Sequence, residues 1–151
     1  MLKIFKKFTT KKIKKSAEEY SEEDILLVSA SLAYEVAKAD GEVGQIELDK
    51  IKEHLEDVKR YINKDVFNLL NGIENKSNES VSFYHLVKLV NERFTLDQKN
   101  MLVRFLWDVA YADKILKTDE ERLIRRVADL LSIKDIKVLR LKNDAKILSS
   151  N

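Results

Sequence analysis

The sequence contains no proline and no cysteine, and it has only three glycines among its 151 residues. Proline and glycine end helices and shape the many turns of β-sandwiches and barrels, so their scarcity favours an all-helical protein. The lack of cysteine excludes disulfide bonds and thiolate metal sites, and it is consistent with a cytoplasmic location. Because 44% of the residues are hydrophobic, we expect one globular domain with a core of its own.

The sequence also lacks a long apolar run. The most suggestive stretch, residues 25–33, includes two serines and is far shorter than the roughly 20 apolar residues that cross a bilayer. The N-terminus has no apolar segment of the kind found in signal peptides. We therefore expect neither a transmembrane helix nor a secretion signal.

The motifs of common enzyme classes are missing as well. The sequence has no glycine-rich phosphate loop and no G-x-S-x-G elbow, and without cysteine it has no thiol nucleophile. His54 and His85 stand on predicted helices with no second histidine four residues on, which excludes a zincin-type site and predicts surface or half-buried side chains. We expect a protein that is not an enzyme.

Charge is distributed unevenly along the chain. Residues 1–15 carry seven lysines and no acid, and removing these seven from the 28 basic residues leaves 21 against 26 acidic ones. The apolar residues of this segment fall on roughly one half of a helical wheel. We therefore divide the chain into a basic amphipathic leader, residues 1–15, and a mildly acidic helical domain, residues 16–151.

Three interpretations of the leader are open. It is a solvated, partly disordered segment, or a helix on the anionic surface of the inner membrane, or an arm for nucleic acid. In the membrane interpretation each lysine contributes about 1 kcal/mol near the lipid surface. The residues that would touch that surface are Leu2, Lys3, Phe5, Lys6, Lys7 and Phe8. The nucleic-acid arm is the weakest of the three, because the rest of the chain offers no basic face to extend it, and we expect no nucleic-acid partner.

An internal repeat dominates the rest of the sequence. Residues 35–47 read EVAKADGEVGQIE, and 73 residues later residues 108–120 read DVAYADKILKTDE. At this offset Asp40 pairs with Asp113, Glu47 with Glu120, and the two Ala-x-Ala pairs coincide. Each copy is typical of a helix end, a tight turn and the start of another helix. The repeat predicts two pseudo-symmetric αα-hairpins.

Helical spacing predicts a single seven-helix all-α bundle after the leader. Helices over 22–39 and 45–58 form the first hairpin, and a shorter helix from Asn63 is expected to end at Asn71-Gly72. The polar segment 74–80 is the predicted loop between the halves. In the second half, a helix is expected to end near Phe94, and the next, over 96–112, has Trp107 in the core. Capping boxes are predicted at Thr95–Gln98 and Thr118–Glu121. A last helix is opened by Ser132, and its apolar positions are Ile136, Leu139 and Ile147.

The acids at the two turns are the candidate chemical site. If the hairpins pack about a pseudo-twofold axis, Asp40, Glu47, Asp113 and Glu120 come together at one end of the bundle. Their oxygens suit a divalent cation, for which calcium, magnesium, manganese and zinc are the candidates. The alternative is purely structural, because an aspartate in a turn and a glutamate in the first turn of a helix are favoured without any metal. An EF-hand is excluded, since its ligand spacing is not found here.

These two copies resemble the tellurite-resistance TerB-like family, in which the DjlA N-terminal-like helical domain is also found. The likeness covers about residues 22–148 and depends on Ala37-Lys-Ala-Asp-Gly41 in the first copy and on residues 106–113 and 120–131 in the second. It implies a compact all-helical domain with an acidic, metal-binding face in bacterial stress and metal-resistance systems near the inner membrane. It equally implies a domain that binds a protein partner, like the one that precedes the J-domain in membrane-anchored co-chaperones.

The resemblance carries over to five residues, which are Asp40, Gly41, Glu47, Asp113 and Glu120. One position departs from it, because Lys114 stands where the first copy has glycine. A left-handed turn there costs a residue with a Cβ about 1 kcal/mol or more. We expect the ammonium of Lys114 to be able to answer Asp113 in place of a cation.

Overall fold

The computed structural model of the chain describes residues 22–62, 66–77 and 82–150. Within these ranges the protein is helical and has no strand, which confirms the predicted fold class. The helices are α1 (Glu22–Ala37), α2 (Gln45–Ile62), α3 (Val66–Ser77), α4 (Ser82–Arg93), α5 (Leu96–Ala110), α6 (Thr118–Leu130) and α7 (Asp135–Ser149). The predicted leader, with the residues assigned to the membrane surface, lies outside the described residues.

The first helix, α1, is the centre of the bundle. It packs against α2, α3, α4, α5 and α6, so most of its circumference is covered and must be apolar or small. Its fully buried apolar side chains are Leu27, Val28, Ala30, Leu32, Ala33, Val36 and Ala37, and Asp24 near its start is also fully buried. Two serines fit in this helix because Ser29 Oγ and Ser31 Oγ donate to the carbonyls of Ile25 and Leu27, each at 2.8 Å.

The second hairpin is formed by α5 and α6, and α7 packs on α5. Trp107 of α5 is fully buried, which confirms the prediction that it belongs to the core. The ammonium of Lys142 on α7 lies 5.6 Å from the centroid of its ring, within the range of a cation–π contact. The two hairpins meet where α1 packs against α5 and α6.

The two turns between the paired helices have matching hydrogen bonds at the same offset as the sequence repeat. The first turn has hydrogen bonds from Lys38 N to Tyr34 O, Ala39 N to Val36 O, Gly41 N to Lys38 O, Leu48 N to Gly44 O and Glu42 N to Asp40 Oδ1. Each has an equivalent 73 residues later, donated by Tyr111, Ala112, Lys114, Glu121 and Ile115. Positive φ angles recur at the same offset, 107° at Gly41 and 65° at Lys114. The sequence repeat is thus a structural repeat.

The turn at Lys114 is expected to be strained, because a φ of 65° brings the Cβ of an L-residue close to a carbonyl oxygen. We expect Lys114→Gly to be more stable than Lys114→Ala by about 1 kcal/mol. Both variants lose the same charge and side-chain length, so the difference isolates the backbone. Urea unfolding at neutral pH measures it. Equal midpoints for the two variants would show that the turn stores no strain here.

The third helix, α3, is longer than the sequence pattern predicts. The prediction that Asn71-Gly72 ends it is wrong, because the helix continues to Ser77. A glycine inside a helix costs about 1 kcal/mol relative to alanine, and burial of the inner face more than offsets this cost. That face carries Leu69, Leu70 and Ile73. The loop predicted over 74–80 is therefore helical as far as Ser77, where Lys38 Nζ donates to the last carbonyl of the helix at 3.3 Å.

Of the two predicted capping boxes, the structure contains the first. Thr95 N donates to the side chain of Gln98 at 2.8 Å, and Gln98 N donates to Thr95 Oγ1 at 3.2 Å. The box predicted at Thr118 is wrong, because α6 begins at Thr118 itself and its N-cap is Lys117, with no side-chain cap. The start lies one residue earlier because Glu120 faces the interior as the third residue of α6.

The last helix, α7, begins at Asp135, three residues after the predicted opening at Ser132. Its predicted apolar positions are wrong as core residues. Ile136, Leu139 and Ile147 are 68%, 48% and 54% exposed, whereas Val138, Leu141 and Ala145 are buried. The helix carries apolar residues on both faces, so the pattern alone does not select the face that packs on α5.

Candidate functional site

Glu47 and Glu120 occupy the same position in two equivalent helices. Each is the third residue of its helix, in α2 and α6 respectively. Glu47 Oε1 accepts the backbone amide of Gly44, the residue just before α2, at 3.1 Å. A carboxylate at this position accepts hydrogen bonds from the free amides at the helix start and interacts favourably with the positive end of the helix dipole. Local helix chemistry therefore places both glutamates at their helix starts.

These glutamates are far more buried than helix capping requires, since each is 1% exposed. Glu47 Oε2 and both carboxylate oxygens of Glu120 have no well-formed hydrogen bond among the described residues, although the carboxyl of Glu47 and the backbone amide of Lys117 lie close enough to Glu120 to shift its pKa. Two ionised carboxylates can only accept, so they cannot bond to each other until one of them takes up a proton. The pair therefore has three buried acceptor oxygens that a proton or a bound cation would stabilise.

Burial raises the pKa of Glu120 from its ordinary value of 4.5 to about 9. Glu47 adds to this rise, because it accepts a hydrogen bond from protonated Glu120 and repels its ionised form. The ammonium and the backbone amide of Lys117 act in the opposite direction and lower the pKa. Without a bound cation, Glu120 keeps its proton at neutral pH.

Asp40 lies in the first turn and is ion-paired to the second hairpin. Its Oδ2 is 2.8 Å from Lys117 Nζ, and its Oδ1 accepts the amide of Glu42 at 3.4 Å. The hydrogen bond from Lys117 holds the pKa of Asp40 below its usual range. The same bond, together with the charges of Glu47 and Glu120, raises the pKa of Lys117. Lys117 thus forms an ion pair with Asp40 and interacts with Glu47 and Glu120 electrostatically, without direct contact.

Asp113 caps its own turn, where its Oδ1 accepts the amide of Ile115 at 3.0 Å. The structure therefore brings Glu47 and Glu120 together and joins Asp40 to them through a lysine, whereas Asp113 takes the local role of an aspartate in a turn. In the part of the chain that the structure describes, no three His, Cys, Asp or Glu residues are grouped so that they could hold a metal ion. Metal binding by all four acids stays a prediction.

Lys117 is the residue of this site that sequence reasoning missed. The expected partner for a turn aspartate was Lys114 with Asp113, and the ion pair that forms joins Lys117 to Asp40 across the two hairpins. The offset of 73 residues held a signal, because it aligns Lys117 with Gly44. Gly44 and Lys117, like Gly41 and Lys114, occupy a position at which the second copy has a lysine and the first has no side chain.

An apolar groove of about 590 Å³ lies on another face, between α1, α2, α5 and α7. Its lining includes Leu26, Met101, Phe105 and Leu141, and Met101 is 72% exposed. His54 forms part of the wall, where its ring stacks on Phe105 at 4.0 Å between centroids and its Nε2 lies 3.1 Å from the carbonyl of Leu26. The prediction of half-buried histidines is confirmed for both His54 and His85.

No helix in the described ranges is both long enough and apolar enough to cross a membrane. The comparison with curated proteins and the comparison with solved structures each gave no match to the chain. A family model does match, and its description is "Tellurite resistance protein TerB". The match extends over residues 26–143 and so includes both hairpins, both turns and the glutamate pair. The chain therefore belongs to the TerB family of tellurite resistance proteins.

Proposed function

We propose that the chain is a non-enzymatic binding module that holds a divalent cation at the Glu47–Glu120 pair, in a stress or metal-resistance context near the inner membrane. The observation that supports this function is the set of three buried carboxylate oxygens without a well-formed hydrogen bond. A buried acceptor left without a donor costs about 1–3 kcal/mol. A cation between the two carboxylates would take the place of the Glu120 proton, satisfy these oxygens and offset the repulsion between the two ionised groups.

The chemistry of the donors favours a hard cation. The pair offers carboxylate oxygens, and Asp40 is a further acid linked to it by its contact with Lys117. Mg²⁺ is commonly held by one or two carboxylates with water in its remaining positions, whereas Ca²⁺ takes six to eight oxygens. Neither a histidine nor a thiolate is available for Zn²⁺ in this pair. We therefore expect magnesium or manganese to bind better than calcium or zinc.

The bound cation would act as a link between the hairpins. Glu47 stands at the start of α2 and Glu120 at the start of α6, so one ion on both carboxylates ties one half of the bundle to the other. The chemistry that it supplies is charge neutralisation in a buried site. Its effect would be a more stable protein with its two turns fixed against each other.

The test is a titration with Mg²⁺, Mn²⁺, Ca²⁺ and Zn²⁺, followed by calorimetry and by thermal unfolding. At a hundredfold excess over its Kd, an ion that binds the native state stabilises it by about 2.7 kcal/mol. For a domain of this size we expect the melting temperature to rise by about 5 to 10 °C. The same ion should leave the melting temperature of the double variant Glu47→Gln, Glu120→Gln unchanged.

Asp113→Asn is the matched control, because the amide oxygen of asparagine can still accept the amide of Ile115. This variant should respond to the ion as the wild type does. If no ion raises the melting temperature of the wild type more than that of the double variant, the metal function fails. A response that Asp113→Asn abolishes would instead support the four-acid site predicted from the repeat.

The groove favours a second function, that of an adaptor for a protein partner. Its apolar lining between helices fits the apolar face of an amphipathic helix. The exposure of Met101 at this place leaves the lining accessible. In this alternative the acidic turns are structural, and failure of every ion in the titration is the outcome that favours it. A partner that binds here should be lost on Met101→Asp and kept on Glu53→Gln, a change at an exposed residue of α2 that does not line the groove.

A further inference from the structure

Lys117 already provides a positive charge to the acids of the site. Its Nζ lies 2.8 Å from Asp40 Oδ2, and the charges of Glu47 and Glu120 act on it as well. These two glutamates are each 1% exposed and hold oxygens without a well-formed hydrogen bond. The ammonium of Lys117 and a bound metal ion would therefore both neutralise the negative charge of the same carboxylates.

The lysine is also free to leave. Its side chain is 37% exposed, and that of Asp40 is 25% exposed, so the ion pair lies at the rim of the buried pair. Breaking such a pair exposes a charged head to water and leaves the core intact. A cation that arrives at the glutamates would find a counter-charge that can move into solvent.

The first hairpin has no equivalent charge. Its residue at the matching position is Gly44, and a Cβ added there would lie 3.1 Å from Glu47 Oε1. A larger side chain at this position would crowd the carboxylate that caps α2. At this position of the repeat, the ammonium is therefore contributed by the second copy alone.

We propose that Lys117 is a built-in counter-ion that a divalent cation displaces when it binds at Glu47 and Glu120. The inference deepens the proposed function and rests on it. Because the two cations would repel each other, binding releases the ammonium from Asp40 into solvent and frees Asp40 Oδ2 to face the metal. Lys117 thereby sets the affinity of the site, since every binding event must break its ion pair.

The test compares Lys117→Met with the wild type in Mn²⁺ and Mg²⁺ titrations by calorimetry, together with melting temperatures in chelator. Methionine keeps an unbranched side chain and removes the charge. We expect Lys117→Met to bind the ion at least about tenfold more tightly, because the competing charge is gone. In chelator the same variant should melt at a lower temperature than the wild type, because its acids have lost their counter-charge.

A displaceable counter-ion predicts that Lys117→Met raises the metal affinity and lowers the melting temperature in chelator. If Lys117 only supported the fold, Lys117→Met would lower both the affinity and the melting temperature. Lys117→Arg keeps the charge and should retain the affinity of the wild type. Lys114→Met removes one positive charge three residues away and should also leave the affinity unchanged. A tenfold gain in Lys114→Met would show that net charge, rather than Lys117, controls binding, and it would overturn the inference.

The remaining outcomes separate this inference from the function on which it rests. If the wild type binds the ion and Lys117→Met binds it equally or more weakly, the counter-ion role is overturned and the metal function stands. If Lys117→Met binds and the wild type does not, Lys117 blocks the site instead of being displaced, so the displacement and metal binding by the natural chain both fail. If neither binds, both are overturned.

Discussion

Glu120→Gln is expected to raise the melting temperature of the protein at pH 8 by about 5 to 10 °C when no divalent cation is present. Burial raises the pKa of Glu120 to about 9 in the folded protein, whereas an unfolded chain ionises it near its ordinary value of 4.5. Between these two values the native state holds a proton that the unfolded state has released. Stability therefore falls as pH rises through this window, by up to about 1.4 kcal/mol for each pH unit.

Glutamine reproduces the protonated carboxyl without needing the proton. At pH 5, where little of the penalty has developed, the variant and the wild type should differ by less than at pH 8. At pH 8 the wild type has lost about 3 kcal/mol or more, and the variant keeps it. Urea unfolding in chelator at several pH values between 5 and 8.5 measures both slopes.

Glu121→Gln is the control for this experiment. Glu121 is the next residue of α6 and pairs with Lys142 at a partly exposed position. Its loss should cost no more than about 1 kcal/mol, and the slope of stability with pH should be retained. If Glu120→Gln loses stability with pH in parallel with the wild type, Glu120 is not the group that binds the proton.

The full chain is expected to pellet with anionic vesicles and to remain in the supernatant with neutral ones. The reason is the seven lysines of the leader, each of which contributes about 1 kcal/mol to binding at an anionic surface. The apolar residues between them can enter the headgroup region, at about 25 cal/mol for each Å² removed from water. A chain that begins at Ser16 should stay in solution with both kinds of vesicle.

Two further variants separate charge from apolar insertion. Replacing Lys3, Lys6 and Lys7 with glutamine should weaken binding most at low salt, whereas replacing Phe5 and Phe8 with serine should weaken it at every salt concentration. The competing interpretation folds the leader back on the acidic face of its own domain, and salt weakens both arrangements. Equal pelleting of the full and shortened chains, or none from either, would exclude the leader as a membrane anchor.

The sequence predicts the frame of this protein well because its apolar spacing and its repeat point to the same structure. The turn at Gly41 and the box at Thr95 are local features, and short-range rules are sufficient for both. The face of α7 is different, since Val138 and Leu139 are both apolar neighbours and only packing on α5 decides between them. Gly72 lies inside α3 for a similar reason, because tertiary burial outweighs its helix propensity.

The candidate site could be predicted only in part. The offset finds Glu47 and Glu120, since both belong to the repeat. Asp40 and Asp113 each accept the amide two residues on, but the offset cannot show that Asp40 also pairs with Lys117, because that ion pair depends on a side chain that crosses between the hairpins. Lys117 is the clearest case, since it acts on Asp40 from 77 positions away in the sequence.

The contact between Glu47 and Glu120 has a consequence for the origin of the fold. A residue that touches its own repeat equivalent lies beside the axis that relates the repeats, which is the arrangement that a symmetric homodimer produces at its twofold axis. In such a dimer every substitution occurs twice, so a glycine on one side and a lysine on the other would be impossible. Joining the two copies in one chain removes that restriction. It allows Gly44 to keep one glutamate uncrowded while Lys117 brings a positive charge to the pair.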